Sequence, residues 1–373
     1  MRMENRLQPP ETVATKEAAG KPSRPHLGHL RPLDGLRGVS ILLVILTHLE
    51  VLQNNFGFVG VDVFFVLSGF LITCLLLQEW DETGGISLRA FYARRALRLF
   101  PALVVMLAAF MVYSTFRHTR ELRLLEAKEA LATLAYSTNW VVALEIFPTN
   151  FLAHTWSLSI EEQFYLLWPA LLLWLVRRSS RSSLFCFVAL GIALSWLVRF
   201  LLFLGTAASS VRLSRGLDTR ADALLMGCAI GVLFFELPRP GWLRQVLNYC
   251  SAASLAGLLL MAQVFNTNAP GMLLAGWFFI SLLAGIIVLA LAFESGGVLQ
   301  WVLNNSVLVY LGKISYGLYL WHYPIFLACG ESDVIWARSW IVKISAALLA
   351  TLASYYLLEL PFLRLKQRFR RTK

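Results

Sequence analysis

The sequence predicts an all-α, polytopic membrane protein of about ten transmembrane helices. Three observations carry that prediction. Of the 373 residues, 58% are hydrophobic and only 15% are charged, too few charges to cover the surface of a soluble protein. Apolar runs of about 18–23 residues recur along the chain, each long enough to cross a bilayer as a helix, and mean hydropathy is +0.64. The alternating pattern of membrane strands is missing, which leaves helix as the option at membrane depth.

Ten candidate spans follow in order: 36–53, 58–78, 98–116, 159–176, 184–205, 219–236, 246–265, 272–293, 306–329 and 335–359. A weaker stretch, 129–147, carries Glu129, Asn139 and Glu145 and ends at Pro148. Parity decides its status. If it does not span, and the N-terminus is cytoplasmic, the basic loops 79–98, 177–183 and 237–245 and the C-terminal tail all fall inside. If it spans, RRSSRSS at 177–183 and the basic tail move outside. The first arrangement obeys the positive-inside rule throughout, so 129–147 is expected to be interfacial or re-entrant, with both termini cytoplasmic. Residues 1–30 read as a flexible cytoplasmic tail, 31–360 as one membrane domain and 361–373 as a basic juxtamembrane tail able to touch anionic lipid. There is no internal repeat and no second soluble domain.

The net charge of +11 suggests nucleic acid, but Lys and Arg cluster in short loops and tails, which is a topology signal. No nucleic-acid partner is expected. Cys74, Cys186, Cys228, Cys250 and Cys329 are scattered through apolar segments without metal-ligand or redox spacing and read as small core residues. No metal is expected.

Ionisable residues inside apolar runs are expensive and mark candidate sites. Span one opens with LDGLRG at 33–38 and carries His48 eleven positions after Arg37. That is ~16 Å of helix, which would put Arg37 at a membrane face and His48 near the midplane. Asp34 can cap the helix. Arg37 also reads as a snorkelling anchor, and His48 as a neutral histidine bonded to a neighbouring helix. In GFVGVDVFFVLSGFLIT, Asp62 is placed near the outer end of span two, and Ser68 with Gly69 permits close helix approach. FYARRALRLFP brings Arg95 and Arg98 onto one helix face, a pattern suited to phosphate and equally to positive-inside anchoring. In HTWSLSIEEQFYLLWP, Glu161 and Glu162 point about 100° apart, so one of them could act as a base or orient His48. Arg220 and Asp222 can form an intramembrane ion pair. Ser315, Tyr319 and His322 share the span of ISYGLYLWHYPIF, with His322 expected near the outer face. Walker, GxGxxG, HExxH and GxSxG motifs are absent.

Six of these motifs in this order resemble the acyltransferase-3 family of integral membrane acyltransferases: LDGLRG with His48, GVDVFFVLSGFLI, FYARRALRLFP, HTWSLSIEEQFYLLWP, TRADALLMGC and SYGLYLWHYP. Each is weak alone. The resemblance covers roughly residues 31–360. It implies an O-acyltransferase of the bacterial plasma (inner) membrane that moves an acyl group, often acetyl, from acyl-CoA to a hydroxyl of a carbohydrate, glycolipid or secondary metabolite. It carries the family's Arg-x10-His pattern onto Arg37 and His48, its Arg-x-x-Arg pattern onto Arg95 and Arg98, and its acidic position onto Glu161, with Glu162 beside it. Arg37, Arg95 and Arg98 are then expected to bind acyl-CoA, His48 to be the base, and Glu161 or Glu162 to orient it or bind the acceptor. Some members carry an added C-terminal esterase-like domain. The sequence after residue 361 is a short basic tail, so hand-off to such a domain is expected to be absent or supplied by a partner. The rival reading is a transporter or flippase with a His48, Glu161 and Arg220 pathway, for which inverted repeats and broken helices would speak.

Overall fold

The computed structural model describes residues 27–52, 54–205, 209–264, 266 and 269–366. Most of the expected N-terminal tail (1–26) and the end of the basic tail (367–373) lie outside the described residues. The described residues are helical, with no strand among them. Six helices are long and apolar enough to cross a membrane: Asn55–Thr83, Leu88–Arg117, Arg181–Leu204, Gly241–Val264, Met272–Ala292 and Trp340–Arg364. The other four expected spans also coincide with helix, but they are shorter, more polar or interrupted.

In chain order the helices are α1 (Arg31–His48), α2 (Asn54–Thr83), α3 (Leu88–Arg117), α4 (Arg120–Leu134), α5 (Thr138–Ala143), α6 (Trp156–Arg178), α7 (Arg181–Leu204) and α8 (Ser210–Arg215). There follow α9 (Leu217–Glu236), α10 (Gly241–Val264), α11 (Trp277–Ala292), α12 (Gly297–Leu303), α13 (Ser306–Lys313), α14 (Ser315–Gly330), α15 (Trp340–Ser354) and α16 (Leu360–Lys366). The weak stretch 129–147 is not one helix. It falls on the end of α4 and on α5, separated by a turn in which Tyr136 has a φ of 51°. The ninth expected span is divided between α13 and α14, which meet at Ile314.

Two features of α1 differ from expectation. The helix stops at His48 rather than near residue 53, because the chain turns through Glu50, whose φ is 61°. Residues 27–30 are also not part of a loose tail. The Leu27 N–H donates to Gln78 Oε1 at 3.2 Å, and Leu27 and Leu30 lie against the core.

Helix α2 is the hub. It crosses α9 with backbones touching: a Cβ on Gly69 would sit 1.9 Å from the Leu224 carbonyl oxygen, and one on Gly227 would sit 2.0 Å from that of Val66. Small residues at a helix crossing allow this approach, which dispersion and backbone contacts reward in a lipid environment. The crossing of α1 with α13 is built the same way at Gly38 and Gly312.

The α2–α9 crossing encloses a charge quartet. Arg220 pairs with Asp62, and Arg199 with Asp222; all four are essentially fully buried. Arg220 also lies over the Trp277 ring at 4.1 Å. This corrects the expected pairing of Arg220 with Asp222. Two residues apart on one helix, these side chains diverge, and each finds its partner on another helix. The cysteines are free: Cys74 and Cys228 are buried, but Cys186 and Cys250 lie on exposed helix faces rather than in the core.

At the end of the bundle where α1 stops, the segment after α14 is clamped to the α3–α4 corner. His118 Nδ1 lies 2.7 Å from Glu126, and its Nε2 lies 3.1 Å from Glu331. Tyr113 donates to the same Glu331 oxygen at 3.1 Å. Burial works against a charged His118, but the hydrogen bonds and charges of Glu126 and Glu331 outweigh it and raise its pKa above the ordinary histidine value.

Two predictions follow from these contacts. Asp62→Asn should leave the Arg220 guanidinium buried without its counter-charge and cost about 3–5 kcal/mol, while Asp62→Leu combined with Arg220→Met should recover most of the loss. Thermal unfolding in detergent measures both. For His118, a raised folded pKa means that the clamp's stabilisation is complete below the unfolded value of about 6.5 and is lost as pH rises through the folded value. His118→Gln should therefore lower the melting temperature more at about pH 5.5 than at about pH 8.5.

Candidate active site

A cavity of about 400 Å³ opens among α1, α2, α3, α6 and α14. Its wall on α2 extends from Leu75 to Val61, ~21 Å of helix. Leu27, Leu30, Leu71, Leu75 and Phe91 give it an apolar stretch, beside the His29–Asp34 pair; Arg37, Arg95, Arg98, Glu161 and Glu162 give it a polar one, and Ser157 and Tyr319 belong to its lining as well.

The polar stretch holds Arg37, Arg95 and Arg98, but the three arginines are not equivalent. Arg95 is tied down. Its Nη2 lies 2.7 Å from Glu162 and 3.4 Å from Glu161, and its guanidinium lies over the Tyr165 ring at 3.4 Å. Glu161 in turn accepts from Ser68 Oγ at 2.5 Å and from Tyr165 at 2.5 Å. The carboxylate pair and Arg95 therefore form a closed network across α2, α3 and α6. Arg37 hydrogen-bonds Ser315 Oγ at 3.4 Å, and its buried Nε has no hydrogen-bond partner among the described residues. Arg98 makes no side-chain hydrogen bond or ion pair among the described residues, so Arg37 and Arg98 leave cationic capacity facing the cavity.

The second cluster lies beyond Tyr319 along the bundle. Tyr319 hydrogen-bonds to Ser157 at 2.5 Å and donates to the His154 carbonyl at 2.8 Å. Its ring centroid is 5.6 Å from those of both His154 and His322. His322, fully buried, places Nδ1 2.9 Å from the Leu318 carbonyl and Nε2 3.1 Å from His48 Nδ1. A carbonyl can only accept, so His322 Nδ1 carries the hydrogen. In a neutral ring Nε2 is then an acceptor, and His48 Nδ1 must donate to it. That leaves the lone pair of neutral His48 on Nε2. The chain Leu318 carbonyl, His322, His48 assigns the tautomer of the terminal base without any carboxylate.

This geometry rearranges the expectations. The cavity brings together Arg37, Arg95, Arg98, Ser68, Glu161, Glu162, Ser315, Tyr319 and Asp34. Asp34 makes no cap hydrogen bond at the start of α1 and instead accepts from His29, at 2.8 Å. Neither Glu161 nor Glu162 contacts His48; His322 holds it instead. Depth also shifts. Arg37 lies opposite Phe64 in the interior of α2, 5.8 Å away, and not at a helix end. His48 is the last residue of α1, beside Thr47, which packs against Gly57 near the start of α2. The ~16 Å of helical rise between them holds, because α1 is continuous from Arg37 to its last residue, His48. Asp62, Arg220 and Asp222 belong to the structural quartet. The transport pathway of His48, Glu161 and Arg220 is not assembled, since Glu161 is bound by Arg95 and Arg220 by Asp62. Residues missed from the sequence include His154, Tyr165, Tyr323 and Arg199. His154 opens the quoted HTWSLS segment, so it was visible there. Tyr323 meets the His48 ring edge-to-face, with centroids 4.9 Å apart, and directly follows His322.

An acyltransferase domain model matches residues 31–360. The peptidoglycan O-acetyltransferase OatA of Listeria monocytogenes is 33% identical over 346 residues, covering 88% of this chain and 55% of the relative. The O-acetyltransferase OatA of Staphylococcus aureus is 31% identical over 350 residues, covering 89% and 57%. The chain thus spans little more than half the length of these relatives. No solved structure matches it.

The unequal arginines give a test of the site. Arg95→Gln removes charge-assisted hydrogen bonds to two carboxylates and should lower stability by roughly 1–3 kcal/mol. Arg98→Gln should leave the melting temperature near the wild-type value. Equal losses in the two variants would contradict the distinction.

Proposed function

The chain belongs to the acyltransferase-3 family, and on that footing we propose that it is a cell-envelope O-acetyltransferase using acyl-CoA as donor. The acceptor would be a carbohydrate hydroxyl, with peptidoglycan the polymer named for its Listeria relative. The reading takes ten spans in the plasma (inner) membrane, with both termini cytoplasmic, as the charge distribution favours. The cavity would then receive the donor from the cytoplasmic side.

The observation that carries the proposal is the histidine pair, with His48 Nε2 left as a free lone pair at the end of a carbonyl-anchored chain. Arg37 and Arg98, the arginines without carboxylate partners, would take donor phosphate oxygens by charge-assisted bonds. Arg95, Glu161 and Glu162 would shape the site and hold α3 against α6. His48 Nε2 would remove the proton from the acceptor hydroxyl as its oxygen bonds to the acyl carbon. The C–S bond then breaks, and the proton returns to the sulfur to release the free thiol. No metal is required in this scheme, since general-base catalysis and positioning act directly on the thioester.

Purified protein in liposomes, supplied with labelled acetyl-CoA and a soluble glycan acceptor, tests this reading. His48→Ala should lower transfer by about 10²–10⁴-fold while the protein still folds. His322→Gln should lower kcat with little effect on the donor KM, and Arg98→Gln should raise the donor KM. Wild-type transfer rates in His48→Ala would overturn the assignment.

A further inference from the structure

Arg215 is a further cation that neither network uses. It ends α8, and its guanidinium carbon lies over the Trp156 ring at 4.1 Å and over the Phe58 ring at 4.9 Å. It has no carboxylate partner and makes no side-chain hydrogen bond among the described residues, and its Nε is buried without a partner. Every comparable arginine nearby is neutralised. Arg212, one turn earlier, is bidentate on Asp218 at 2.9 and 2.5 Å; Arg220 has Asp62, and Arg199 has Asp222. Arg215 is also not part of the cavity that holds Arg37 and Arg98. Its electrostatic neighbours are Tyr319, the like-charged Arg220, Tyr323 and His48.

We propose that Arg215 is the oxyanion-stabilising residue of acyl transfer, a catalytic role that rests on the reading of His48 given above. A half-buried cation with no counter-charge, its Nε shut off from solvent and unpartnered, is costly, and the cost is relieved when negative charge arrives beside it. The transfer reaction generates such a charge. As the acceptor oxygen bonds to the acyl carbon, the carbonyl electron pair moves onto oxygen, and it returns when the C–S bond breaks. A donor aimed at that oxygen and fixed before reaction stabilises the transition state without reorganising. The two ring faces supply the fixing: the guanidinium carbon lies over both the indole and the phenyl ring, and cation–π contact holds it there without using its N–H donors. Trp156 also ties Arg215 to the histidines, because the next residue, Ser157, bonds Tyr319, whose ring touches His154 and His322.

The test compares Arg215→Ala, Arg215→Lys and His48→Ala with wild type in the same liposome assay, with thermal unfolding run in parallel. Arg215→Ala should lower kcat by about 10²–10³-fold and leave the donor and acceptor KM values little changed. Added guanidinium salt should restore part of the rate to Arg215→Ala and none to His48→Ala. Arg215→Lys, which keeps the charge and protects against misfolding, should remain impaired because it lacks the planar fork. A rise in acceptor KM with kcat retained would overturn the proposal and make Arg215 an acceptor-binding group. A loss that follows melting temperature, with no guanidinium rescue, would make it structural. Active wild type with unchanged Arg215 variants would remove this inference alone, whereas wild type inactive with acyl-CoA would overturn the parent reading too.

Discussion

The glycine-lined contact between α2 and α9 is the constraint on which the rest of the interior depends. With backbones touching at Gly69 and Gly227, side chains cannot fill the crossing, and the flanking positions on both helices are pressed together. Asp62 and Arg220 meet one flank away, which is why two full charges can sit in the interior of a membrane protein. The same crossing fixes the height of α2 in the bundle. It thereby sets where Ser68 meets Glu161, and where the carboxylate network closes around Arg95.

The interior charges divide by partnership. Arg199, Arg220, Arg95 and Arg212 each have a carboxylate and hold helices to one another. Arg37, Arg98 and Arg215 have none, and each is steadied by aromatic or hydroxyl neighbours or left free. Charge alone does not distinguish these groups, and neither does burial. Pairing does, because a buried arginine whose charge is already met gains little from an arriving anion, while an unmet one gains much.

Much of this was legible in the sequence. The helical class, the six helices among the described residues that are long and apolar enough to cross a membrane, the cavity arginines and the separation of Arg37 from His48 follow from local rules: run length, rise per residue, and the expense of charge in apolar runs. The polar residues of 129–147 marked it as the weakest candidate span, but its division between α4 and α5 was not foreseen. Partner choice was not legible. Arg220 and Asp222 are neighbours in sequence and belong to different pairs, and Arg199 enters from a helix whose own pattern is almost wholly apolar. The support of His48 by His322, 274 residues away, depends on how α1 and α14 are stacked, which no local period encodes. The early end of α1 had a weak signal in Glu50, which was outweighed by the apolar residues that follow it.

Helix α1 carries both Arg37 and His48, so the distance between them is fixed by covalent geometry and by backbone hydrogen bonds rather than by loop packing. A helix of this kind is a ruler. In the reaction proposed, it would compare the reach of the donor's flexible arm, from phosphate to thioester, with eleven residues of rise. Such a gauge registers the arm and is blind to whatever lies beyond the phosphate. Acyl groups carried on the same arm but on a different handle would measure the same length, and selection among handles would fall to the apolar stretch of the cavity around Leu27, Leu30 and Phe91.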